Sequence, residues 1–369
     1  MKKHLLLGIG VLTAAGSFAQ STVNSGTQKY VLAEEGTGTW CGHCTDGAVF
    51  LENVVASSTR VIPVSVHDND PMEIPDGAAV FSEYNPAFPN AAIDRVVHVN
   101  SSRVFMNRSH WQNMANTQLA KSPDFAVTVQ HGYSAATRQL TVKVTAKALK
   151  GMMGSYNINA YVVEDSVIGG SAYDQANYYD GTAGHKYQGQ GASISGFMHM
   201  QVLRSMLGGP WGSSGIIMTN PTLNSMATKT YTYTLPGSSN FGRWRVIGLV
   251  QKQNTADKDD RVILNAIQAK ITPGTLGLEN LAKPLGSLAI TPNPASDLIS
   301  VRGETQYGAD VTISIVNTLG QKLKEEIIRE NNQQFEIGIP VTDLAAGLYF
   351  VNVTTSFGEK VSQKLIITR

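Results

Sequence analysis

The chain has 369 residues, enough for two or three domains of roughly 100–200 residues, each with a core of its own. Its net charge is +1 and 15% of its residues are charged, so there is no electrostatic footprint for nucleic acid or for an anionic membrane surface. Glycine (35 residues) outnumbers lysine and arginine together (29), which points to many turns and much β structure rather than long solvated helices.

Met1-Lys2-Lys3 supplies a basic start, Leu5 to Gly16 an apolar stretch, and Ser17-Phe18-Ala19 a small-x-small cleavage site before Gln20. Residues 1–19 therefore read as a signal peptide, and the mature chain leaves the cytoplasm. The apolar stretch is too short and wrongly flanked for an anchor. Nothing later approaches the roughly 18 uninterrupted apolar residues of a spanning helix, so no transmembrane helix is expected.

Lys29 to Glu35 reads as a strand, Gly36 to Trp40 as a loop, and Thr45 to Ala56 as a helix with Val49, Leu51, Val54 and Val55 on its apolar side. At the junction lies Trp40-Cys41-Gly42-His43-Cys44, which holds both cysteines of the chain. A helix N-terminus presents unpaired N–H groups and a partial positive charge, which lower a thiol's pKa from about 8.5. Cys41 is thus the expected nucleophile and Cys44 the resolving thiol. An imidazolium at His43 would favour the reduced pair and make the disulfide more oxidising, although His43 also reads plainly as a polar loop residue. A zinc site is the first rival, but a four-cysteine site is excluded and the eight histidines offer no H-x(3–5)-H pair to complete a two-cysteine one. A purely structural disulfide is the second, and across so short a loop it would stabilise little. Haem attachment needs histidine after the second cysteine, where Thr45 stands.

Arg60 to Val66 reads as a second strand, parallel to the first after a βα crossover, with Pro63 marking an edge or a strand end. The following loop, His67 to Asp76, carries Asp68, Asp70, Glu73 and Asp76; they lack EF-hand spacing and read as a solvated loop rather than a calcium site. A short helix near Ala78 to Tyr84 leads through Phe88-Pro89 to a third strand, Asn90 to Val97. Pro89, opening a strand after an aromatic residue, is a cis candidate. Alternation puts only one of Glu34 and Glu35 inside.

This succession resembles the thioredoxin fold. Pro89, 48 positions after Cys41, matches the family's cis-proline facing the dithiol, Trp40 matches its tryptophan, and Cys-Gly-His-Cys is the form found in protein disulfide isomerase. Glu35, six positions before Cys41, falls where the family carries a buried acid that relays protons to the resolving cysteine. Two features depart from the family. Gly36-Thr37-Gly38-Thr39 replaces its aromatic and proline residues, and Ala48 stands where a helix-kinking proline is common. The resemblance implies a site of Cys41, Cys44, His43, Glu35, Pro89 and Trp40, with no cofactor beyond the Cys41–Cys44 pair and no metal.

From Asp124 the pattern alternates with period two. Phe125 to Val129, Gln139 to Ala146, Tyr156 to Val163, Lys229 to Leu235, Trp244 to Gln251 and Val262 to Ala269 read as antiparallel strands of a β-sandwich. An insertion, Ser171 to Asn224, is too long for an ordinary loop in a compact domain and is a candidate for binding. Within it His185, His199 and Trp211 form no spaced metal set and read as packing or surface residues. A serine nucleophile elbow, a P-loop and a dinucleotide-binding glycine fingerprint are all absent. The WCGHC segment followed by this β region, together with Gln201-Val202-Leu203-Arg204, resembles the Omp28-related outer membrane proteins of Bacteroidota.

The tail, after a linker, opens with Pro292-Asn293-Pro294 and continues through Asn317-Thr318-Leu319-Gly320-Gln321 and Leu344 to Phe350 to a closing Lys364-Leu365-Ile366-Ile367. Strands are expected near Val311 to Val316, Gln334 to Ile337, Gly347 to Thr354 and Lys360 to Ile367. These motifs resemble the C-terminal sorting domain of type IX secretion. The plain alternative is a small Ig-like module for adhesion or spacing. The expected organisation is a multi-domain chain: signal peptide 1–19, α/β thioredoxin-like domain 20–121, all-β sandwich 122–272, linker 273–284 and small all-β Ig-like sorting module 285–369. The resemblances imply export through the periplasm to the cell surface, outer membrane or medium, with the type IX machinery as one partner and protein thiols or disulfides as the other. The expected activity is thiol–disulfide exchange of the oxidoreductase or isomerase type; the alternative is a non-enzymatic surface-binding or adhesion protein on the same scaffold.

Overall fold

The structure is a computed structural model that describes residues 21–99, 102–237, 240–271, 288–304, 311–328, 334–355 and 360–369. The expected signal peptide and the linker at 273–284 lie outside these residues. In chain order the first part contains β1 (Ser21–Asn24), β2 (Val31–Thr37), α1 (Cys44–Ser57), β3 (Val61–His67), α2 (Pro75–Tyr84), β4 (Asn90–Ile93), β5 (Phe105–Asn107) and α3 (Trp111–Leu119). There follow β6 (Phe125–Ser134), β7 (Gln139–Ala148), β8 (Ser155–Glu164), the short β9 (Gln175–Ala176) and β10 (Ser193–Ile194), β11 (Val202–Met206), β12 (Met226–Thr234), β13 (Trp244–Gln253) and β14 (Ile263–Lys270).

The stretches expected as two domains, 20–121 and 122–272, build one eight-stranded sheet in the order β14–β13–β8–β11–β3–β2–β4–β5. β3 lies parallel to both β2 and β11, and the other pairings are antiparallel. Pro63 therefore sits in an interior strand and not at an edge as expected. The ladder tolerates it because β3 and β11 meet only around Ser65, whose N–H donates to Gln201 O at 2.7 Å. Two residues earlier on that side no partner strand waits for the N–H that proline lacks.

A second sheet, β1–β6–β7–β12, packs against β8, β13 and β14 as the expected sandwich. Val127, Val129, Val142 and Val144 from one sheet meet Ile158, Trp244, Val246 and Val250 from the other, all fully buried. The sheets approach closest at Gly248, where a Cβ would lie 2.3 Å from Val129 Cγ2. On β2 alternation sends Val31 and Ala33 towards α1 and α3, while Leu32 points to the opposite core with α2 residues Val80 and Phe81. Because both faces are covered, all seven residues of β2 are buried.

The C-terminal part forms a module of two sheets. One joins β15 (Ala289–Thr291), β16 (Leu298–Glu304) and β19 (Gln334–Pro340); the other runs β18 (Lys322–Ile328), β17 (Val311–Asn317), β20 (Gly347–Thr355), β21 (Lys360–Ile367). Ile299, Val301, Ile313, Ile315, Val351 and Leu365 fill its core. The motif at 292–294 is tied to the final strand, since Asn293 donates to Lys364 O and accepts from Ile366 N. Asn317 Oδ1 accepts from Leu319 N and Gln321 N, closing a turn whose Gly320 takes φ 80°.

Candidate active site

Cys41 and Cys44 form a disulfide. It is placed by β2, whose end leads through Gly38–His43 to α1, so Cys44 is the first helical residue and Cys41 lies just before the helix N-terminus. Both cysteines are nearly buried, at 5% and 3% exposure, while Trp40 beside them is half exposed. Trp40 donates from Nε1 to Asp68 O and meets the Phe88 ring edge-on. The Phe88–Pro89 peptide is cis and opens β4, which pairs with β2. Gly47 brings α1 close to this strand: a Cβ there would lie 2.4 Å from Glu35 Oε1 and 2.7 Å from Pro89 Cβ.

Glu34 and Glu35 are both buried, correcting the expectation that only one could be inside. Alternation does send them to opposite faces, but neither face is open. Glu34 holds Arg95 in a two-pronged ion pair and accepts from Tyr161, a structural cluster between β2 and β8. Glu35 points the other way and has no compensating charge. Oε1 lacks a hydrogen-bond partner among the described residues, and burial pushes the carboxyl up to about 8, so it is protonated at neutral pH. Glu35 and Cys44 line the same cavity of about 50 Å³, large enough for water, with His67 and His199 on its wall.

The insertion supplies a part of the site that the sequence did not locate. Around β9 it straps across the cysteine loop: Ala176 N donates to Thr39 O, Tyr178 N to Gly42 O, and Gln175 Nε2 to Cys41 O. The Tyr178 ring lies where a Cβ on residue 42 would fall, so any larger residue at that position would have to displace that ring. Exposed His43 meets Tyr178 edge-on and places Nδ1 3.3 Å from Tyr179 OH. Arg108 bridges Asp46 of α1 and Tyr179, and His185 Nε2 lies 3.2 Å from the other Asp46 oxygen. The insertion's length and its tyrosines were the available signal; which tyrosine faces the cysteines depends on long-range packing that no local pattern carries.

Asp70 is likewise not part of a solvated loop. Its carboxylate is buried, receives the His67 imidazole at 2.6 Å and accepts from Thr39 N and Met72 N. Burial works to raise its pKa, but His67 and these backbone donors outweigh it and hold the carboxyl below the usual range. His199, buried against His67, bonds Tyr173 O through Nε2, and burial depresses it to about 4. Trp211 packs between the guanidinium groups of Arg95 and Arg261. Among the described residues no cluster of three or more His, Cys, Asp or Glu is placed to hold a metal.

Residues 289–368 match the secretion system C-terminal sorting domain, which makes this a protein exported by the type IX route to the cell surface, the outer membrane or the medium. Residues 80–274 match the family described as outer membrane protein Omp28, and with more than half of the chain covered the protein belongs to that family. The Omp28 match begins after the cysteine pair. Among solved structures, HBP35 of Porphyromonas gingivalis is similar over 93% of this chain and 99% of its own, with a TM-score of 0.54 and 18% identity, a likeness of fold. The Yersinia pseudotuberculosis adhesin InvE aligns with 65% of this chain and 55% of its own at a TM-score of 0.18 and 9% identity, too low to carry an argument. No curated protein sequence matches. Among the described residues no helix is long and apolar enough to cross a membrane.

Proposed function

We propose that this Omp28-family protein is an exported thiol–disulfide exchange protein, with residues 20–121 supplying a thioredoxin-like redox unit inside the larger sheet. The observation that carries the reading is the Cys41–Cys44 disulfide at the start of α1, with cis-Pro89 nearby and the uncompensated Glu35 carboxyl behind Cys44. An inert disulfide has no use for a buried acid held neutral beside it, since such a group costs stability and is retained where protons move. In the forward direction a substrate thiolate attacks Cys41 Sγ, the Cys41–Cys44 bond breaks, and Cys44 leaves as a thiolate that takes a proton from Glu35. A second substrate thiolate then attacks the substrate sulfur of the mixed disulfide, releasing Cys41 as a thiolate and an oxidised substrate. Protein thiols or disulfides are the partners, with Trp40 and His43 exposed beside the bond to meet them. The test is oxidation or reshuffling of a reduced test protein by the intact mature chain. Activity above the free-glutathione rate that is lost in Cys41→Ser supports the reading. No activity above that rate would leave surface binding as the function.

A further inference from the structure

The cavity behind Cys44 holds a second acid–base pair for which the exchange reading so far has no use. Glu35 and Cys44 form one side of it, and His67, from the end of β3, lines it with them. His67 is buried, and its Nδ1 is committed to Asp70 Oδ2 at 2.6 Å. Asp70 is an ionised acceptor, so Nδ1 carries the hydrogen and Nε2 is the ring nitrogen left to exchange a proton. Asp70 also accepts from Thr39 N, two residues before Cys41, which couples the orientation of the imidazole to the cysteine loop.

Resting on the exchange reading, we infer that His67, oriented by Asp70, is the proton carrier that serves Glu35 and Cys44 across their shared cavity. When the reduced pair closes on a mixed disulfide, the Cys44 thiol must lose its proton as its sulfur attacks Cys41 Sγ and expels the substrate thiolate. A neutral Glu35 serves both ends of that transfer, taking the Cys44 proton on one oxygen while the proton on the other passes through the water-sized cavity to His67 Nε2. The sulfur chemistry then balances: one S–S bond forms, one breaks, and the proton ends on an imidazole. On reduction of the disulfide the same path runs backwards and recharges Glu35.

Other titratable groups facing this space do not compete. His199 is fixed as a donor to Tyr173 O and has no free proton to exchange without breaking that bond. Glu52, on α1, is held by Lys186 of the insertion at 2.5 Å, and Tyr187 is pushed upward by burial. His67 is left as the proton acceptor on the wall of this cavity.

The experiment mixes the reduced mature chain with oxidised glutathione, quenches with acid and follows the mixed disulfide on Cys41 by mass. In His67→Gln the first step, attack by Cys41, should keep its wild-type rate. The second, closure by Cys44, should slow roughly ten- to hundredfold, within the range of general acid–base contributions, so the mixed disulfide accumulates. Asp70→Asn, which keeps the shape of the loop, should give the same pattern in weaker form. Imidazole in the buffer should restore closure in His67→Ala. Equal slowing of both steps, or slow closure that imidazole does not rescue, would mean a structural role and overturn the relay. Unchanged closure in His67→Gln would overturn it as well, leaving the exchange reading intact. Failure of the wild-type protein to form any mixed disulfide would overturn both.

Discussion

Burial lifts the Glu35 carboxyl from 4.5 to about 8, so the folded protein holds a proton there that the unfolded chain releases above about 4.5. Below pH 4.5 both states bind this proton. Between 4.5 and 8 the unfolded state binds fewer, so the contribution to stability present at low pH is lost as pH rises through this window and levels off above 8. Glu35→Gln cannot ionise. Its stability advantage over wild type should be near zero at pH 4.5 and grow to a few kcal/mol by pH 8, on the order set by about 1.4 kcal/mol for each pKa unit. Unfolding of the oxidised proteins at several pH values measures this, and parallel curves for the two would show that Glu35 is not held neutral. The sequence made the Cys41, Cys44 and Pro89 positions legible because each is a distinctive residue type at a distinctive spacing. It could not decide between Glu34 and Glu35: strand alternation separates two faces, but whether each face is covered depends on α1, α2 and β8, which come from elsewhere in the chain.

Elements were legible where the periodicity is local. β2, α1, β3 and the sandwich strands begin within a few residues of where alternation and helical spacing place them, although β6 runs on to Ser134, past the Val129 at which the alternation places its end. Pro63 was misleading because its cost depends on whether a neighbour strand reaches it, and β11 arrives from about 140 residues later. Gly248 is a related case within β13. It reads as a weak point in a strand, yet its missing Cβ is what lets Val129 and Val144 pack from the facing sheet. Gly248→Ala should therefore destabilise by roughly 1–3 kcal/mol through overpacking. Val129→Ala in the same chain should recover part of that loss, because it removes the methyl that the new Cβ meets. A double-mutant cycle on thermal unfolding checks the coupling, and strict additivity would mean that the two sheets are not in contact there.

At the scale of the whole molecule, α/β and all-β stretches that look separable along the chain share one sheet and one core. Leu32, Ile62, Val64 and Ala92 pack with Tyr161, Val163, Leu203, Ile247 and Leu249, all from beyond residue 121. β11 also covers the edge of β3. A fragment of residues 21–121 should consequently fail to fold by itself, exposing that apolar face and an unpaired strand edge, whereas residues 21–271 should fold with dispersed amide resonances and a cooperative transition. A well-dispersed spectrum from the short fragment would contradict this. A change in hydrophobic period along the sequence marks a change of element type, which does not by itself mark a boundary between cores.

The claim on which the rest depends is that Cys41–Cys44 is a working disulfide and not an inert clasp, and trapping tests it most directly. With Cys44→Ser the resolving thiol is gone, so attack by Cys41 on a disulfide substrate should stop at a covalent adduct. Incubation of that variant with an unfolded, disulfide-containing test protein, followed by non-reducing electrophoresis and mass analysis, should show an adduct joined through Cys41. It should dissolve on reduction and be absent in the Cys41→Ser, Cys44→Ser double variant. No Cys41-linked adduct above the level of the double variant would contradict thiol exchange as the function of this protein.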